Sequence, residues 1–283
     1  MKNSLFKILG LTLLFASFIT FVTCSDDDDN PPPVINKVIV VSNPDTGMFS
    51  SINLADGVLT SLGVVTLEGE TVLGIRDIVF NPANGTVYAS SKANDPYNGK
   101  VYSINPATLE ATVINDNADE DWYALPGLEM SNGKLFGTVY WDDYDPIYNE
   151  STGLIWLNLD GSFIESKPLI FEDENYSINE GMAIEYGASN NEILMTYGSD
   201  ILVSDINGNI SEIIDINGEG FPMDSNLDSI RTLETGNNGI LYGIDRHGNF
   251  GSINLTTAVF TYIATLPSEK IVALSNIPET IFE

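Results

Sequence analysis

From Val34 onward the chain is a succession of short runs rich in β-branched and aromatic residues, many of them ending on Asn or Asp. Val101–Asn105, Leu154–Asn158, Ile201–Asn207, Phe250–Asn254 and Met48–Asn53 form one such set. Each is preceded by a β-rich run (Val38–Ser42, Thr86–Ser91, Lys134–Trp141, Glu192–Gly198, Ile240–Asp245). Each is followed by another (Val58–Thr66, Ala111–Ile114, Phe163–Ile170, Ile210–Ile216, Phe260–Leu266). Runs of this length and composition, bounded by Gly, Asn and Pro, read as strands. With Lys37, Thr86, Lys134, Glu192 and Ile240 as equivalent points, the repeat spacings are 49, 48, 58 and 48 residues. A period near 50 residues carrying four short strands is the rhythm of a propeller blade.

Four units carry a leading strand before a Gly/Asn turn: Ile75–Phe80, Gly127–Met130, Met182–Tyr186 and Ile230–Leu233. Asn-Gly and related pairs supply the positive φ that tight hairpins need. The first unit lacks its leading strand, and Ile271–Asn276 at the far end of the chain matches one. The expectation is an all-β propeller of five four-stranded blades, or six if one weak unit escapes the pattern. Its C-terminal strand would complete the N-terminal blade and cover both edges. Asp77-Ile78-Val79-Phe80-Asn81-Pro82 and Glu180-Gly181-Met182-Ala183 resemble strand openings of NHL-like and YncE-like propellers. Kelch, WD and calcium-binding repeat signatures are absent, so that resemblance implies a fold and assigns no residue a role.

In such blades the first-to-second and third-to-fourth strand turns share one face of the ring, and the remaining connections share the other. The first set is short here (Asn81–Gly85, Leu159–Gly161, Asn207–Asn209, Thr235–Gly239). The second is expected to be long, acidic and aromatic: Asn115–Ala124, Trp141–Gly153, Phe171–Asn179 and Asn217–Leu227. Long connections on a rigid scaffold are where binding resides. Trp122, Tyr123, Trp141, Tyr144 and Tyr148 are the candidate ligand-binding aromatics, suited to stacking on sugar rings. Asp116, Asp119, Asp121, Asp142, Asp143 and Asp145 are candidate Ca²⁺ ligands, because hard cations take six or more oxygens. Glu120, Glu172, Asp173 and Glu174 add to the same rim. Asp77, Glu129, Glu180 and Asp228 fall near the openings of leading strands and are expected toward the central channel. If the chain were a glycoside hydrolase, as some five-bladed propellers are by resemblance, Asp77, Glu180 and Asp228 would be the candidate acid/base residues. Arg76 and Arg231 beside these acids point instead to structural ion pairs. His247 is the single histidine, which excludes a multi-histidine metal site.

The charge sharpens the partner question. Forty acidic against 11 basic residues give −29, and such a surface repels nucleic acid and anionic membranes. At 43% hydrophobic residues the chain folds and displays that charge on a surface.

The N-terminus reads as an export signal: Lys2 and Lys7, an apolar stretch from Ile8 to Val22, then the only cysteine, Cys24. The apolar stretch is shorter than the ~20 residues of a spanning helix. Residues 1–23 are expected to be a lipoprotein signal peptide, with lipid attached at Cys24. Residues 24–33 would be an acidic and Pro-rich spacer, and 34–283 the propeller. Cys24-Ser25-Asp26-Asp27-Asp28-Asp29 resembles the surface-export signal of Bacteroidetes-type lipoproteins, which implies an outer-membrane, acylated (palmitate-type), surface-exposed protein. The whole is expected to be a non-catalytic binding or scaffold module for a glycan or surface protein, with Ca²⁺ as its candidate cofactor.

Overall fold

The computed structural model describes residues 37–91, 99–116, 122–145, 150–172, 174–175, 183–186, 192–223, 225–268 and 270–282, with backbone alone at 122–124, 140–145, 150–152 and 174–175. By contacts the chain divides into residues 1–34 and 35–283, and every described residue belongs to the second unit. That unit is a five-bladed β-propeller. From the channel outward, blade 2 is Ile75–Asn81, Thr86–Ser91, Val101–Asn105 and Glu110–Asn115. Blade 3 is Trp122–Ser131, Lys134–Asp145, Glu150–Leu157 and Phe163–Pro168. Blade 4 is Ile184–Tyr186, Ile193–Tyr197, Asp200–Ser204 and Ile210–Asp215, and blade 5 is Ile230–Thr235, Leu241–Asp245, Asn249–Asn254 and Val259–Thr265. Blade 1 is built from both ends of the unit. Val272–Pro278 is its inner strand, paired antiparallel with Lys37–Asn43, and Met48–Ile52 and Leu59–Val64 follow outward. The clasp expected from the sequence is present.

Five apolar cores lie between successive blades, and side-chain alternation along single strands builds them. In Lys37–Asn43, Val40 enters the core shared with blade 2, while Ile39 and Val41 enter the one shared with blade 5. In blade 3, Phe136 and Leu154 face blade 4, whereas Leu135 and Ile155 face blade 2. A blade buried on both faces needs apolar residues at consecutive positions. That is why the strands read as unbroken hydrophobic runs rather than as alternating ones.

The recurring Asn or Asp at strand ends has a local cause. Four of the five close an Asx-type turn at the third-to-fourth strand connection: Asn53 Oδ1 accepts from Ala55 N–H (2.9 Å), Asn105 from Ala107 (3.0 Å), Asp205 from Asn207 (2.8 Å) and Asn254 from Thr257 (3.1 Å). The turn then passes through a left-handed residue, Gly57, Leu109, Gly161, Gly208 or Ala258. At three of these the carbonyl accepts an amide from the connection leaving the preceding blade: Thr66 N–H to Leu109, Ile170 to Gly208 and Asn217 to Ala258, each 2.9 Å. Each such connection thus starts as a short strand parallel to the next blade's outer edge, as at Thr66 opposite Glu110 and Asn217–Glu219 beside Val259–Thr261. The sequence signal that marks the repeat is therefore also the latch between blades.

Three segments expected as loops carry strands, one of them Glu174–Asn175, which pairs with Ile170–Phe171. The inner strand of blade 3 begins at Trp122, and its neighbour continues to Asp145, with Trp122 and Trp141 as Cα partners and Asp145 opposite Glu150. Aromatic and β-branched residues favour extended backbone strongly enough to carry the hairpin beyond the blade, acidic neighbours included. Asn217–Glu219, expected within a loop, is the strand beside blade 5.

Candidate functional site

The inner strand of each blade has one unpaired edge facing the channel, so its edge amides need partners. Carboxylates from the preceding blade supply them. Leu128 N–H of blade 3 donates to Asp77 Oδ2 of blade 2 (2.8 Å), and Ile78 N–H donates to Asp77 Oδ1 (3.0 Å). Glu185 of blade 4 accepts from the backbone amide and hydroxyl of Thr235 in blade 5. Glu234 of blade 5 accepts from the backbone amide of Asn276 in blade 1. Glu129 of blade 3 takes the adjacent Met130 N–H (2.7 Å). At the clasp the channel residue is an amide: Asn276 Nδ2 donates to Thr235 O (3.2 Å) and Asn237 Oδ1 (3.1 Å). A neutral group there spares the ring a fifth charge.

These four carboxyl groups act on one another. Burial is the largest influence on each and pushes it up, and mutual repulsion pushes further for three of them. Glu129 is raised to about 7, mainly by burial against the opposing Met130 amide. Burial and then Glu129 and Asp77 hold Glu185 well above the carboxylate range. Burial and then Glu185, Glu129 and Asp77 do the same to Glu234, as burial and Glu129 do to Asp77. Tyr186 is also raised, by burial and by Glu129 and Glu185. Like charges in a shared low-dielectric space oppose one another's ionisation, so these carboxyls favour the protonated form more than they would in water.

Sequence reasoning placed Asp77 and Glu129 here but missed Glu185 and Glu234. The signal was present as a repeated aliphatic-Glu pair just before the first turn: Leu128-Glu129, Ile184-Glu185 and Leu233-Glu234. Asp228 sits elsewhere. It precedes the inner strand of blade 5, its side chain is 36% exposed, and its Oδ2 lies 3.2 Å from His247 Nε2. Its amide bonds Asp245, the buried residue that ties the turn Asp245–Asn249 by accepting from His247 N–H and from both amides of Asn249. The structure therefore groups Asp77 with Glu129, Glu185 and Glu234, and Asp228 with Asp245 and His247. Glu180 lies outside the described residues.

The loop-face candidates divide in the same way. Trp122, Tyr123, Trp141, Tyr144, Asp142, Asp143 and Asp145 are strand residues of the extended blade-3 hairpin. Asp116 is exposed just past the outer strand of blade 2, and Tyr148, Asp119 and Asp121 lie outside the described residues. Among the described residues no three carboxylate, thiol or imidazole side chains converge in the manner of metal ligands.

No protein-family model and no curated protein sequence matches the chain. Solved structures do. One is a chain of a nidogen/laminin complex, at 11% identity and TM-score 0.53 over 85% of this chain and 98% of that one. A second is a protein of unknown function from Bacteroides caccae, at 11% identity and TM-score 0.51 over 86% and 99%. A third is glutaminyl cyclase from Myxococcus xanthus, at 14% identity and TM-score 0.45 over 72% and 70%. At these identities the first two likenesses speak to fold alone.

Proposed function

We propose that the chain is a non-catalytic binding module: a propeller tethered to the outer membrane through Cys24, which presents its long-connection face to a glycan or surface-protein partner. One observation carries the reading. Lys37, where the first strand begins, has its carbonyl bonded to Asn237 Nδ2 (3.0 Å), and Asn237 lies in the first-to-second strand turn of blade 5. The chain thus joins the ring on its short-turn face. On this reading the partner meets the opposite face, from which the Trp122–Trp141 end of the blade-3 hairpin extends.

The Asp-rich strand ends of that face are the place for an assisting Ca²⁺. On a glycan and protein array, Trp141→Ala with Tyr144→Ala abolishes capture under this reading, and undiminished capture overturns the face assignment. Labelled fatty acid appearing on the wild-type chain and absent from Cys24→Ala tests the anchor. A melting temperature unmoved by chelator removes Ca²⁺ from the proposal.

A further inference from the structure

The short-turn face carries a feature that the display reading leaves unused. Between blades 4 and 5 lies a cleft of about 650 Å³, lined by Glu185 and Tyr186 of one inner strand, Leu194 behind them, and Ile240, Ile253 and Leu255 of blade 5 among others. The volume falls in the range of small-molecule sites, and the lining is mixed: five aliphatic side chains lie beside Glu185, Tyr186, Thr235, Ser252, Asn254 and Thr261. Ile240 is 43% exposed, apolar surface left uncovered at the cleft. Glu185, only 7% exposed, is the acidic group of the lining.

We propose that this cleft binds a small amphipathic organic cation, with its ammonium against Glu185 and its hydrocarbon body along Leu194, Ile240, Ile253 and Leu255. The sign of the charge follows from what surrounds Glu185. Glu129 and Asp77 act on it directly, Glu234 lies on the neighbouring inner strand, and Tyr186 is adjacent. Arg231 stands on that same strand, four residues before Thr235, toward the opposite face of the ring. An anion would meet three further carboxyl groups, and a neutral ligand would leave their repulsion untouched. A cation relieves that repulsion and favours the ionised form of Glu185.

With Glu185 as the one carboxyl group of the lining, the cleft offers too little charge for a bare hard cation, which wants six or more oxygens, commonly carboxylate. An alkyl chain fills the cleft as it leaves water. Burial, and then Glu129 and Asp77, hold Glu185 above its ordinary value, so a cation that favours its ionised form releases protons on binding.

The test uses the purified chain and hexylammonium, titrated calorimetrically at neutral pH in two buffers of different ionisation heat. The expected result is one saturable site with net proton release. Hexanol should bind at least tenfold more weakly and hexanoate not at all. Glu185→Gln should lose at least tenfold in affinity and the proton release with it. Ile240→Ser, a change at a partly exposed turn residue that leaves the core intact, should weaken hexylammonium severalfold while keeping the proton release. No saturable heat up to about 10 mM hexylammonium, equal binding of hexanol, or an unchanged affinity in Glu185→Gln would each overturn the proposal. None of these outcomes bears on the opposite face, so the display reading stands or falls separately.

Discussion

The pH dependence of stability should be governed by the channel, and Glu129→Gln isolates it. Glu129 is raised from 4.5 to about 7. At about 1.4 kcal/mol per tenfold, that difference caps its contribution at about 3 kcal/mol, and the effective dielectric of real protein interiors puts the expected value at about 1–3 kcal/mol. The sign follows from proton counts. Between the two values the folded chain binds more protons than the unfolded one. Stability is therefore complete below about pH 4.5 and falls as pH rises through 7. Asp77, Glu185 and Glu234 are raised as well and act in the same direction. Gln keeps the acceptor for Met130 N–H and cannot ionise. Urea unfolding of both proteins from about pH 4.5 to 8 should show them equal at the acid end. At the alkaline end Glu129→Gln should be more stable by about 1–3 kcal/mol, a rise of roughly 2–4 °C per kcal/mol in a chain of this size. A gain that is the same at both ends, or a wild-type chain whose stability increases across that range, would refute the assignment of the carboxyls to a shared buried channel.

Three further outcomes test the ring itself. Gly208 has φ +85° and a Cβ there would lie 2.2 Å from Pro168 O of the preceding blade, whereas Gly85 has φ +70° with open space around it. Gly85→Ala should therefore cost only the left-handed penalty of about 1–2 kcal/mol. Gly208→Ala should cost about 1–3 kcal/mol more, from overpacking, read as a difference in urea midpoint. Asn105→Ala removes the acceptor for Ala107 N–H and should cost about 1 kcal/mol without altering the circular dichroism of the folded state. Deleting residues from Ile271 onward removes the inner strand of blade 1 and exposes Ile39 and Val40. It should yield an aggregating chain in which limited proteolysis finds no protected core.

The blade count, the clasp and the short first-to-second strand turns were legible because they rest on local chemistry: Asn at strand ends, Asn-Gly at tight turns, β-branched residues in the strands. The extended hairpin of blade 3 was not, since Asp142, Asp143 and Asp145 read as a solvated loop. The aromatics beside them and the pairing of Trp122 with Trp141 and of Asp145 with Glu150 extend the hairpin, and the register of those pairs exists only in the assembled sheet. The channel acids were half legible for a related reason. Asp77 and Glu129 could be assigned to leading strands, but Glu185 and Glu234 become members of the same set only when five strands are wrapped around one axis. Asp228 shows the converse error. Proximity to a leading strand in sequence placed it in the channel, while an offset of two residues before Ile230 puts it beside His247 instead.

The channel carboxyls also connect stability to binding. Asp77, Glu185 and Glu234 reach across blade boundaries to amides of the next inner strand, so they help fix the spacing of the ring whether ionised or neutral. Their charge does the opposite, since each ionisation raises the cost of the next. A ring built only for stability would carry Asn or Gln at all five positions, as it does at Asn276. Four acids in place of amides leave the fold dependent on retained protons or on a counter-ion, and the cleft beside Glu185 gives a counter-ion of suitable shape a way to reach them. Binding there and resistance to unfolding at neutral pH should therefore rise together. If Glu185→Gln removed hexylammonium binding yet left the wild-type pH profile of stability unchanged, cleft and channel would be independent, and the coupling argued from their shared residue would fail.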